Sequence, residues 1–542
     1  MVSTAPGQQV RGERLGAKEL HLGLKEAVAL ALQHNINLEV SRLGLAAANE
    51  GMLAASGIFD PLAALDLSDA SRTSPSTNEL QGAQVSQSKQ LILNLGLTQP
   101  LPTGGQLSLG WDNSRSETNS AFYFLNPYYD SGLNFSFSQP LLKGFGTDVA
   151  RAGIEVARRS RDISRLQFEQ IVITTAEQVE EAYWNLVYTR ENLKVKQESL
   201  KLAQDLLDQT RTRVRIGTSA PIDIVQSEAT VAAREQEIII AEHAVDAAAD
   251  LLKQLMGFEN LDDFMSVIVP SDTLETEAVV ADLNEAIQQA LSRRLELRQR
   301  EIEGDIGRIN LLLASAATKP QLDLVVGYGY TGVNASYVTG EDGQVHAVQG
   351  GYRDALDQMW GRDYRQWSAG VSFSYPLGNN TAKATLAQRR FELASATQNL
   401  ALQRQTVILD VRAAVRGLAA SAESIAAAGK ARELAERNLD AEQKKFANGM
   451  STNYQVLQIQ ADLAAAMAAE LQARVSYRQA RAVYHVAIGD LLEFVGVTLK
   501  DEEAVEEPHT FLKDVGWLKF GHWAKSEQAE EPKAEAPAEV QQ

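Results

Sequence analysis

The 542-residue sequence predicts a mixed α and β protomer built as a tandem duplication, joining strands suited to a transmembrane β-barrel wall to helical rods of extreme length. Three observations carry this. The order long helix, glycine turn, long helix is spelled twice, in RVRIGTSAPIDIVQSEATVA around Gly217 and in KKFANGMSTNYQVLQIQADLA around Gly449. FSFSQPL (135–141) answers VSFSYPL (371–377), and LKEAVALAL (24–32) answers LNEAIQQAL (283–291), in the same order in both halves. A unit of that length is a duplicated domain, far beyond solenoid periods. Between the helices, apolar residues alternate with small or polar ones, the period of strands with one apolar face.

In chain order, residues 1–19 carry Arg11 and Arg14 with no apolar stretch behind them, and read as an unstructured segment. The signal that an exported protein needs is therefore expected upstream of Met1 or already removed. Residues 24–57 read as one helix, apolar at Leu24, Val28, Ala31 and Leu32, that stops before Asp60-Pro61. The residue preceding a proline is pushed out of helical dihedrals. The partner helix stops in the same way before Lys319-Pro320, and a strand follows each proline.

The strand faces are explicit. Leu91, Leu93, Leu95 and Leu97 alternate with Ile92, Asn94, Gly96 and Thr98; Leu133, Phe135 and Phe137 alternate with Gly132, Asn134, Ser136 and Ser138. Leu322, Leu324, Val326, Tyr328 and Tyr330 share a face, as do Trp367, Ala369, Val371, Phe373 and Tyr375. Strands of about 10 residues with aromatics near their ends suit a barrel with lipid outside and a wet lumen inside. Leu93, Leu95, Phe135, Phe137, Leu324, Tyr328, Val371 and Phe373 are the expected lipid face. Polar loops are expected at 71–89, 112–130 and 333–366, with a tight turn at PTGG (102–105).

Residues 149–216 contain no proline and only Gly153, and 378–448 are interrupted only by Gly417 and Gly429. Each is a rod of roughly 100 Å at 1.5 Å per residue. The rods return through 219–256 and 451–492, and packing on neighbours must hold them, because helix propensity does not suffice at such length. Ala461, Ala464, Ala465, Ala466, Ala468 and Ala469 allow close helix approach. Residues 493–542 read as an acidic, low-complexity tail.

Composition narrows the function. The chain is 44% hydrophobic and 6% aromatic, with no apolar run near the roughly 18 residues of a membrane-spanning helix, so only a β-barrel could cross a bilayer. A net charge of −19 argues against nucleic acid as a partner. Without cysteine there is no thiolate chemistry, disulfide or lipid-anchored amino-terminal Cys. The seven histidines show no metal-ligand spacing, and Gly327, Gly329 and Gly332 match GxGxxG only inside a strand, where no helix follows to hold a pyrophosphate. No cofactor, metal or catalytic residue is expected.

The tandem plan, LGLKEAVALALQHN near the start, FSFSQPL and VSFSYPL, and RIGTSAPIDIVQSEA together resemble the TolC-like outer-membrane efflux proteins, over about residues 20–492. The resemblance implies a homotrimer whose subunits close one β-barrel in the outer membrane of a Gram-negative bacterium. It also implies one α-helical barrel across the periplasm, docked to an inner-membrane transporter through a periplasmic adaptor protein. The protein would be an exit duct and not an enzyme. The domains follow: 1–19 amino-terminal segment, 20–257 first repeat, 258–281 linker and equatorial segment, 282–492 second repeat, 493–542 tail. The family has two strands per repeat, but Leu107, Leu109 and Trp111 alternate after PTGG, so either the barrel carries extra strands or this hairpin lies off it. A soluble coiled-coil scaffold or adaptor is the alternative; it explains the helices and the charge but not the alternating strands, and it would need no detergent for extraction.

The resemblance also places a periplasmic gate where the two glycine turns converge. The family's tyrosine and arginine around the second turn, and its two acidic residues beyond, fall at Phe446, Ser451, Gln455 and Gln458 of this chain. Its first-turn aspartate survives as Asp223, which needs another partner, with Arg213, Arg215 or Lys445 the candidates; otherwise Asp223 simply favours the start of the returning helix. The entrance is expected to lack the family's acidic ring.

Overall fold

The computed structural model describes residues 19–76, 84–120, 123, 126–274, 281–335, 337–341, 344–348 and 350–497. Most of the amino-terminal segment and of the acidic tail, with Trp517, Phe520 and Trp523, lies outside the described residues.

Six strands form one antiparallel sheet: β2 (Leu62–Pro75), β3 (Val85–Pro100), β4 (Gln106–Thr118), β5 (Tyr128–Pro140), β7 (Gln321–Ala335) and β10 (Tyr364–Ser374). Their order is β10-β7-β5-β4-β3-β2. The first repeat thus supplies four strands and the second two, and the hairpin turning at 101–105 belongs to the sheet. Among the described residues β2 pairs only with β3 and β10 only with β7, so both ends of the sheet are open.

Register puts the apolar side chains on one face. Across the sheet, Leu65 faces Leu95, Leu95 faces Trp111, Trp111 faces Leu133 and Leu133 faces Tyr330. One row on, Leu97, Leu109, Phe135, Tyr328 and Trp367 align. The opposite face is polar: the Asn134 amide donates to Asp112 at 2.8 Å and accepts from Gln366 at 2.8 Å. That bridge crosses β7 at Gly329, where a Cβ would run into Asn134. The GxGxxG pattern is therefore a strand packing pattern.

The segment 333–366, expected as loop, holds a hairpin of β8 (Tyr337–Glu341) and β9 (Gln344–Val348), and a helix, α7 (Tyr352–Gly361). The helix lies on the apolar face at Gly332, where a Cβ would strike the Ala355 carbonyl. Tyr352 donates to Asn113 at 2.7 Å, and the Val333 N–H donates to Gln358 at 3.1 Å. The loops at 71–89 and 112–130 are also shorter than expected, because β2 to β5 run on into them. Polar residues on both faces of a strand leave no period-two signal, so the extensions are unreadable from sequence.

The rods are α3 (Ala152–Arg215, 64 residues) and α8 (Asn380–Ala447, 68 residues), returning through α4 (Pro221–Leu255) and α9 (Asn453–Ile488). Residues 24–57, expected as one helix, are two: α1 (Leu24–His34) and α2 (Ile36–Ser56). The second repeat has the same break between α5 (Leu283–Arg293) and α6 (Leu295–Ala317). The hinge residues match: Asn35 has φ −65°, ψ 122° and Arg294 φ −64°, ψ 123°. Asn35 caps α2 through Leu38 N–H and donates its amide to Leu255 O at 2.8 Å. No glycine or proline announces the break, because the break is set by this contact with another helix.

The main core surrounds the middle of α3, where Val179, Tyr183, Trp184 and Leu186 pack with Val28, Ala31, Leu252, Met256, Ile268 and Leu491. Here β1 (Glu19–Leu22) pairs in parallel with β6 (Val267–Pro270). Tyr183 donates to Asp272 at 2.7 Å, and Arg190 to Ile268 O at 2.5 Å, fastening that small sheet to the rod. Removing a side chain the size of Trp184 from such a core costs about 3–5 kcal/mol.

One group in this core is a charge without a hydrogen bond. Glu180 is 0% exposed, and among the described residues neither carboxylate oxygen has a hydrogen-bond partner. Burial pushes its carboxyl above the ordinary glutamate value of 4.5, opposed by Trp184, Arg481, His485 and Arg478. A carboxyl raised in the folded state binds protons more tightly there than when unfolded. It therefore subtracts stability as pH rises from about 4.5. Glu180→Gln should accordingly gain thermal stability on wild type between pH 4.5 and the raised folded value. Parallel unfolding profiles against pH for the two proteins would refute this.

Candidate functional site

Both rods end in the same turn. After α3 the Thr218 N–H donates to Arg213 O at 2.9 Å, and after α8 the Met450 N–H donates to Lys445 O at 2.9 Å. These six-to-one bonds close Schellman caps, whose C′ residue must be left-handed. Gly217 (φ +81°) and Gly449 (φ +76°) supply it, with open space around both. The returns start with different chemistry: α4 has Pro221 at its first position, and α9 is capped by Thr452, whose hydroxyl accepts from Gln455 N–H at 3.3 Å.

The two turns meet through Arg213. It donates to Phe446 O at 2.7 Å and Ala447 O at 3.2 Å, and its guanidinium lies 4.1 Å from the Phe446 ring centroid. A cation from the first repeat thus meets the last carbonyls and the negative end of the second-repeat rod, adding to the Gly449 N–H that Phe446 O already accepts. Arg213 donates to these carbonyls and Lys445 pairs with Glu442 at 3.0 Å, and among the described residues neither forms an ion pair with Asp223. Arg215 makes no ion pair with it among the described residues. Asp223 sits in the first turn of α4, where its carbonyl accepts from Asn453 at 3.2 Å and Ser227 at 3.0 Å.

Three residues that sequence reasoning missed complete the tip. Asn453 is 3% exposed; it donates to Ser227 at 2.9 Å and accepts from Thr210 at 3.2 Å, tying α9 to α4 and α3. Its place beside a Thr cap reads as an exposed helix start, so no local signal marks it. Glu442 accepts from the Ser451 hydroxyl and from Lys445, and these hold its carboxyl below the ordinary range, the Ser451 bond first. Gln455 and Gln458 are exposed, and Gln458 donates to Asp462 at 3.2 Å. A carboxylate therefore stands one helical turn beyond the two amides.

At the other end of the molecule, register brings Leu93, Leu95, Phe135, Phe137, Leu324, Tyr328, Val371 and Phe373 onto the apolar face. Leu95, Phe135, Tyr328, Val371 and Phe373 are all exposed in the protomer. No helix among the described residues is long and apolar enough to cross a membrane.

Compared with known proteins, residues 106–258 and 286–489 match the model of the outer membrane efflux protein family. Outer membrane protein TolC of Vibrio cholerae is 27% identical over 332 residues, spanning 60% of this chain and 68% of that protein. Outer membrane protein TolC of Escherichia coli is 23% identical over 403 residues, spanning 70% and 78%. The crystal structure of CusC shares the fold with a TM-score of 0.63 at 14% identity, over 90% of this chain and 95% of that one.

Arg213→Ala should loosen the second-repeat turn. Losing hydrogen bonds from a charged donor costs roughly 1.5 kcal/mol, about tenfold in local opening. Hydrogen exchange at the Gly449 and Met450 amides should speed up by that factor while Arg213→Lys keeps part of the protection. Unchanged exchange in Arg213→Ala would mean that the contact does not hold the turn.

Proposed function

Because the chain belongs to the outer membrane efflux protein family, and is thus an outer-membrane exit channel for efflux, we propose that it works as a homotrimer with one shared barrel and one shared periplasmic tunnel. The observation that carries this is the sheet with one exposed apolar face and two open edges. A strand edge in hydrocarbon has no water to satisfy its backbone groups. Joining β2 of one copy to β10 of the next removes every edge. Six strands from each of three copies make a barrel of about 18, an even number within the bacterial range. The apolar face then meets outer-membrane lipid, the Asn134–Asp112–Gln366 face lines the lumen, and α7 lies outside the wall rather than plugging it.

In this reading residues 20–257 and 282–492 are the two repeats, joined by 258–281, and the glycine tips point towards a periplasmic adaptor protein and an inner-membrane transporter. No cofactor or nucleic acid enters the mechanism. The chain's part is passive: a closed wall, a wet path, and a tip held by Arg213, Phe446, Glu442 and Asn453 until partners spread it. Purified in mild detergent, the protein should migrate as a trimer that resists cold detergent and falls to monomer on heating. A monodisperse, folded monomer would sink the proposal.

The entrance lacks the paired carboxylates that the family resemblance leads one to expect, since Gln455 and Gln458 are neutral. Amides cannot supply the field of converging charges. Di- and trivalent cations should block reconstituted channels weakly, and Gln455→Asp with Gln458→Asp should lower the blocking concentration about tenfold or more, some 1.4 kcal/mol of added attraction. Tight block of the unmodified channel, relieved by Asp462→Asn, would move the ring to Asp462.

A further inference from the structure

Beside the main core lies a cavity of about 450 Å³, between the start of α1, the middle of α3, the segment after β6 and the carboxyl-terminal turn Leu491–Val495. Its charged lining is lopsided. Glu26 is engaged with Gly23 N–H at 3.0 Å, and Asp272 accepts from Leu24 N–H and Tyr183, each at 2.7 Å. The cations are differently placed. Arg478 lies 4.7 Å from the Trp184 ring and donates to Thr273 O at 3.3 Å. Arg481 lies 4.8 Å from the Phe494 ring, its Nε is buried without a hydrogen bond, and it has no ion pair among the described residues. Lys25 has no ion pair there either. Glu180, behind the arginines, forms no hydrogen bond to either of them.

We propose that this cavity is the seat of the chain's own acidic segment, residues 501–507. Phe494 and Val495 line the cavity, and the Lys25 Nζ is 4.0 Å from where a Cβ on Gly496 would stand, so the chain leaves along its rim. The sequence then runs VTLKDEEAVEEP: five of the seven residues from Asp501 to Glu507 are acidic. Asp501 lies five positions beyond Gly496, a reach of at most about 17 Å, so the first carboxylates return to Lys25 and Arg481 without strain. Arg481, 4.8 Å from the Phe494 ring and without an ion pair among the described residues, can take a carboxylate, and a charge-assisted pair is the strongest contact available to it. The seated segment clips the end of α9 to the start of α1 across the core that holds the rod. This gives the tail a structural role at the middle of the rods, separate from the channel's ends and independent of how the barrel closes.

Zero-length carbodiimide cross-linking of the full-length protein in detergent, with peptide mapping, tests this. Lys196 and Glu237, 2.9 Å apart, provide an internal reference in the same sample. The expected product joins Lys25 to Asp501, Glu502 or Glu503 within one chain, as mixed isotope-labelled copies would verify. Arg481→Glu should lower its yield about tenfold, the equivalent of one lost charge-assisted contact, without touching the reference. If the reference forms while Lys25 links to none of residues 501–507, the proposal is overturned. Links only between copies, or to a different segment, overturn it equally.

Discussion

An open strand edge and a lipid bilayer are incompatible, and much of this protein is arranged around that fact. Each edge offers a row of N–H and C=O groups, each worth several kcal/mol if left unpaired in hydrocarbon. The protomer ends its sheet in two such rows, on β2 and β10, and both strands are exposed on both faces. The exposed Leu, Phe, Val and Trp side chains along the sheet form one continuous apolar face.

The rods pose the opposite problem, since a helix satisfies its own backbone but not its length. Helices of 64 and 68 residues are held mainly by what they lie against. Their surface ion pairs, such as Arg437–Glu433 or Lys444–Asp440, are exposed and worth little each. The stabilising mass is instead concentrated where β1, β6 and α1 wrap the middle of α3, around Tyr183, Trp184 and Leu186. Burying Glu180 in that dense region without a hydrogen bond among the described residues favours its neutral form. The tip is built more lightly, from glycine caps, one arginine and a buried asparagine.

The repeats are alike in frame and unlike in detail. Asn35 and Arg294 break their helices with nearly the same dihedrals, and Gly217 and Gly449 turn with nearly the same φ, so the two halves share a backbone frame. The side chains diverged. Asn35 donates its amide to Leu255 O, while Arg294 donates to Val486 O at 3.4 Å and adds ion pairs with Glu296 at 2.9 Å and Asp410 at 3.6 Å. At the tip, the bracing cation comes from the first repeat and the ring it covers from the second. A single chain therefore contributes two non-equivalent helical hairpins to any symmetric assembly.

What the sequence by itself determined was everything that repeats along one element. The apolar stripe of each strand, the length of each rod, the glycine in each cap and the duplication were legible because they recur at a period of two, at 3.6 or at the length of the unit. The tertiary structure alone decided what depends on two distant segments meeting. It joined the 107–111 hairpin to the sheet, laid α7 on Gly332, broke the first helix at Asn35, and turned Arg213 to Phe446 instead of Asp223. None of these is fixed by the period of a single element, because a contact between separate segments, whether 23 positions apart as at Gly332 and Ala355 or 233 as at Arg213 and Phe446, is set by the packing of whole elements. Periodicity reports which face of an element is buried, and only the assembled chain reports against what.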